Sequence, residues 1–170
     1  MANNPDPGHI TDEMWKLWET CAAAIDDVQL GGIYADKPGY HNTRAANDSG
    51  DYSVEKPADK KGPDDKAAAL DLTFPEAHSG NYERIQKYTK RVVDAAEARD
   101  ERMYKGDTPV IREIIGNFNG DAKAYDLYAR ETDSRDDSHL WHIHLSVTRQ
   151  FVDDGDVLAG LADVITGEGD

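Results

Sequence analysis

Three of the six histidines fall in one short stretch, His139-Leu140-Trp141-His142-Ile143-His144. On a β-strand alternate residues share a face, so His142 and His144 project together while Trp141 and Ile143 turn to the other side. Two imidazoles so placed suit one metal ion, with ring nitrogens about 2.0–2.1 Å from zinc. A turn before Leu140 would instead bring His139 and His142 to one side, and the polar run preceding it allows that arrangement too. His-x-His also fits a satisfied structural pair on a half-buried strand. The third histidine and the flanking tryptophan favour the metal.

The other ligands follow from residue type. The single cysteine, Cys21, sits in an apolar helical pattern and reads as a buried structural thiol, so no thiolate site can form. A metal must therefore be held by histidine and carboxylate, and a catalytic zinc takes three protein ligands and one open position. The natural partners are His41 and Asp71. Asp71 is the only charge in Ala67–Phe74 (AAALDLTF). A lone carboxylate there costs several kcal/mol unless it is paired or metal-bound; a salt bridge or a strand-end cap is the alternative. His41 lies in PGYHNTR, a loop stiffened by proline. His9 and His78 have no partners in sequence and read as surface residues.

These residues need elements to position them. Met14, Leu17, Trp18, Cys21, Ile25 and Val28 recur at helical spacing after Thr11, and Gly31-Gly32 is the expected stop. Residues 31–65 are rich in Gly, Pro, Asp, Asn and Lys and predict a long active-site loop with a short strand near Tyr52-Ser53-Val54. Ala67–Phe74 reads as a buried strand and 80–103 as a second helix. Strands are expected at 109–115 and 124–130, joined by an Asn-Gly turn, and at Leu140–Val147. A last helix is expected over about 155–166. The fold class is α+β, a small antiparallel sheet carrying the metal site and packed against two or three helices. One domain is expected over 1–170, with 1–10 a loose arm and 166–170 a frayed tail.

Composition narrows the function. There are 34 acidic and 19 basic residues, a formal net charge of -15. Nucleic acid bound through its phosphates needs a basic surface, so no nucleic-acid partner is expected. The same charge argues against a metal-dependent nuclease, which clustered His and Asp would otherwise suit. No apolar run approaches the ~18 residues of a membrane span, and MANNPDPGHI lacks a basic start and apolar core, so neither membrane nor signal peptide is expected.

Taken together, His … Ala-x-Asp … His-x-His resembles the LAS-type zinc peptidases, which include D-Ala-D-Ala carboxypeptidases, murein endopeptidases and the hedgehog signalling domain. Ala69-Leu70-Asp71 looks like the Ala-x-Asp element and Trp141-His142-Ile143-His144 like the closing element. His139-x-x-His142-x-His144 is particularly similar to the murein endopeptidase branch. GYHNTR, GDYS, DKAAALDLTF and SHLWHIHLS also look like small proteins of actinobacteriophages. The family keeps its first His and its Asp close in sequence. Here 29 residues stand between His41 and Asp71, which implies an inserted loop or a different first ligand.

The resemblance implies Zn2+ held by His41, Asp71 and His144. His142 would then be general base or oxyanion stabiliser, positioned by His139 or Asp137. An alternative makes His142 the ligand and His139 the base. Arg44, Tyr52 and Ser53 are expected to touch a substrate carboxylate or peptide backbone. The implied activity is that of a zinc metallopeptidase cleaving peptidoglycan stem or cross-link peptides, a phage lysin or virion-associated wall hydrolase. Such a protein would be made in the host cytoplasm and act at the bacterial cell wall. The contrasting expectation is a non-catalytic acidic phage protein of the same fold that binds a protein partner.

Overall fold

A computed structural model describes residues 3–169. Residues 1 and 2 of the expected arm and residue 170 of the expected tail lie outside it. The apolar stripe after Thr11 forms α1 (Asp12–Ala24), with Met14, Leu17 and Cys21 buried. The Thr11 hydroxyl accepts from Met14 N–H, and Asp12 and Glu13 complement the helix dipole in the first turn. The helix stops earlier than the glycines suggest. Ile25 is extended, Asp27 takes a positive φ of 55°, and Gly31 and Gly32 belong to a strand, β1 (Gln29–Gly32).

The Ala67–Phe74 run supplies β2 (Ala69–Thr73), and α2 (Glu83–Glu97) occupies the middle of the expected second helix. A small ribbon follows, β3 (Tyr104–Lys105) paired with β4 (Thr108–Pro109). Next come β5 (Ile111–Phe118) and β6 (Asp121–Asp126), joined as expected by a tight turn in which Asn119 and Gly120 both have positive φ. The polar stretch Glu131–Ser134 is an edge strand, β7, which its lack of apolar residues conceals in the sequence. β8 (His142–Val147) and α3 (Gly155–Thr166) complete the chain, with Asp154 capping α3 at Val157 N–H and Gly167 ending it at φ 79°.

The large sheet has the order β1-β2-β8-β5-β6-β7, antiparallel throughout. This is the α+β architecture that the sequence predicts. Leu70, Leu72, Ile114, Ile143, Leu145 and Val147 are buried on one face in the hydrophobic core. On that side α2 lies against β5 and β8, and α3 packs on both α1 and α2. Strand alternation turns Asp71, Thr73, Glu113, His142, His144 and Ser146 to the opposite face. The sheet thus separates an apolar core from a polar site. No described helix is long and apolar enough to cross a membrane.

Candidate metal centre

Asp71 and His144 are register partners across β2 and β8, as are Thr73 and His142. His144 Nδ1 lies 2.8 Å from Asp71 Oδ1. His41 reaches the same carboxylate from the 31–65 segment, with Nε2 3.1 Å from Asp71 Oδ2. One ligand atom from each of these three residues lies within 4.8 Å of the others, a grouping that can hold a metal ion. Donors about 2.0–2.2 Å from a tetrahedral zinc stand roughly 3.3 Å apart, so the spacing fits after a slight opening.

The hydrogen bonds around His41 say more than the distances. His41 Nδ1 lies 2.8 Å from the carbonyl oxygen of Ile33. A carbonyl only accepts, so the proton sits on Nδ1. In the neutral ring the Nε2 lone pair then points at a carboxylate oxygen. Two electron-rich atoms at that separation need a cation between them, a proton or a metal ion. Burial pushes the Asp71 carboxyl up, but hydrogen bonds and charge from His144 and His41 outweigh it and hold the group well below the ordinary carboxylate range.

β1 must come close for this geometry. A Cβ on Gly31 would stand 2.8 Å from Asp71 Cβ and 2.9 Å from Thr73 Oγ1, so only glycine lets the strand pair there. The expected helix stop thus has another use.

The other two histidines of the cluster stand beside the three. The His139 and His142 rings are 4.5 Å apart between centroids, and His139 lies 6.5 Å from His144. Burial lowers the pKa of both His139 and His142. The carboxylate that meets His139 is Asp136, at 3.4 Å from Nδ1; Asp137, expected as an alternative to His139 for positioning His142, is exposed at the start of a 3₁₀ turn (Asp137–Leu140). His78 is exposed and tilts against Trp141, while His9 stacks on Tyr34 at 4.0 Å.

The expected strand near Tyr52 is a 3₁₀ turn (Tyr52–Val54), followed by a second (Pro57–Lys60). Ser53 is fully buried, accepting from the Arg149 guanidinium at 3.0 Å and from Asn47 Nδ2 at 3.2 Å. It braces the segment and offers nothing to a substrate. Arg44 donates to the Gly62 carbonyl at 2.7 Å. Tyr52 is 44% exposed, with its hydroxyl in the field of Glu113. Burial and the Glu113 and Asp51 carboxylates push that hydroxyl up to about 12.

The segment carrying His41 is fastened by a residue that sequence reasoning missed. Arg149 is 1% exposed and donates to the carbonyls of Gly39, Asn42 and Ser53, at 3.1, 3.1 and 2.9 Å. Its own N–H donates to Asp59 Oδ1 at 2.9 Å, and Tyr40 donates to Asp59 Oδ2 at 2.5 Å. Ser146 and Glu113 were missed as well. Glu113 stands in the apolar run PVIREII, and the reasoning applied to Asp71 finds it.

Set against protein-family models, curated proteins and solved structures, the chain matches none.

Proposed function

We propose that this protein is a zinc-dependent peptidase acting on stem or cross-link peptides of peptidoglycan, in the manner of the LAS-type peptidases that its motifs resemble. The observation that carries the reading is the convergence of His41, Asp71 and His144 with the His139–His142 pair beside them. Two neutral imidazoles and one carboxylate, with no thiolate, suit zinc. Zinc bound there supplies a Lewis acid for the scissile carbonyl and lowers the pKa of water toward ~7.

The remaining work falls to the chain. His142 shares a sheet face with His144 and takes the proton of the attacking water, then returns it to the leaving amine. His139 packs on His142 and is itself oriented by Asp136. Tyr52, exposed and in the field of Glu113, is placed to touch a peptide backbone. The 29 residues between His41 and Asp71 act as an inserted loop whose anchorage by Arg149 returns His41 to the site.

Two measurements test this. Purified protein should retain or take up close to one equivalent of zinc by elemental analysis, and stripping it should lower the melting temperature. Less than a tenth of an equivalent, with a melting temperature indifferent to added zinc, defeats the metal reading. Zinc-loaded protein should release new amino termini from purified peptidoglycan. Tight zinc binding without such release would leave a non-catalytic domain that binds a partner.

A further inference from the structure

Ser146 lies two residues beyond His144 on the same face of β8, and it is fully buried. Its Oγ stands 2.9 Å from His144 Nε2 and 3.2 Å from Glu113 Oε1. Glu113 is its register partner on β5, 5% exposed, with Oε2 3.5 Å from an Arg135 nitrogen. A serine hydroxyl has one proton and two lone pairs, and a carboxylate only accepts. The Ser146 proton therefore goes to Glu113, and the 2.9 Å contact must be a bond from His144 Nε2–H to Ser146 Oγ.

We propose that Glu113 and Ser146 are positioning residues for the metal: they keep a proton on His144 Nε2 and so present Nδ1, the nitrogen nearest Asp71, as the coordinating atom. This rests on the metal reading given above. A protonated Nδ1 would instead form a charge-assisted bond to Asp71 at 2.8 Å and close the site. The relay opposes that state, as the Ile33 carbonyl, by holding the proton of His41 on Nδ1, opposes one on the Nε2 that faces Asp71. The two ligand histidines are thus set in opposite senses, His41 to bind through Nε2 and His144 through Nδ1. Partners of this kind fix ring orientation and raise ligand basicity, and losing one commonly costs 10–100-fold in metal affinity.

The test is zinc affinity by chelator competition, together with imidazole ¹⁵N–¹H spectra of the zinc-loaded protein. Ser146→Ala should weaken zinc binding about 10–100-fold. Glu113→Leu should behave like it, and Glu113→Gln, which keeps an acceptor oxygen, should stay close to wild type. In the wild-type spectrum His144 should carry its proton on Nε2, slow to exchange, with Nδ1 shifted by the metal. That spectrum needs no variant to fold. A proton found on Nδ1, or wild-type affinity in folded Ser146→Ala, overturns the inference while leaving the metal site standing. Wild-type protein with no zinc affinity overturns the metal reading and this inference with it.

Discussion

Arg149 Nη1 lies 3.1 Å from the carbonyl oxygen of Asn42, the residue after His41, although 107 positions separate the two in sequence. The arginine follows β8, so the strand that carries His144 also anchors the segment that carries His41. Arg149→Met would strip the carbonyls of Gly39, Asn42 and Ser53 of their donor and leave Asp59, which keeps its bond from the residue-149 backbone N–H, without the neighbouring positive charge. Folding stability should fall by on the order of 3 kcal/mol in urea denaturation. Zinc affinity should fall with it, because His41 is no longer held. A variant of unchanged stability would show that the loop is anchored elsewhere.

Gly31→Ala tests the close approach of β1. The added methyl group would meet Asp71 Cβ and Thr73 Oγ1 at under 3 Å, and overpacking of this kind costs about 1–3 kcal/mol. Because one of the displaced groups is the proposed ligand Asp71, zinc affinity should drop as well. Gly80→Ala is the comparison, since its Cβ would meet no atom within 4 Å. Its cost should come from its positive φ alone and leave zinc binding untouched.

Much of this site was legible in sequence. Asp71 stood out as a charge in an apolar strand, and His144 as one of a pair on a strand face. His41 was the weak member, because the 29 residues between it and Asp71 hid a spatial separation of 3.1 Å. Loop anchorage by a single buried arginine leaves no periodic signal. Arg149 sits in VTRQF, where nothing marks it as internal. Of the fold, the three helices and the central strands followed from apolar periodicity. β7 did not, because an exposed edge strand of Glu, Thr, Asp and Ser has no apolar face to read.

Activity should extend to lower pH than an ordinary imidazole base allows. Burial lowers the pKa of His142, with Asp71 opposing. The neutral form, which is the one that accepts a proton, therefore persists as pH falls through the model-peptide value of about 6.5. The acid limb of kcat/KM on peptidoglycan should lie below that value, and His142→Ala should abolish turnover while zinc remains bound. An acid limb above pH 7 would remove His142 from the role of base.

Cys21 should be inert. It is fully buried on α1, and burial pushes its thiol up to about 12. Iodoacetamide at pH 8 should leave native protein unlabelled over hours and label it at once in denaturant. Rapid native labelling would show that α1 opens readily.

Pairing β2 with β8 has a further consequence for how the molecule comes apart. Asp71 and His144 are 73 positions distant along the chain, so an ion bound between them would fasten together strands that meet only once the sheet is assembled. Such non-local contacts form late and are slow to establish. An ion captured there should change the folding rate little and slow unfolding instead. Its loss would then register as a shortened lifetime of the native state under load, heat or proteolysis.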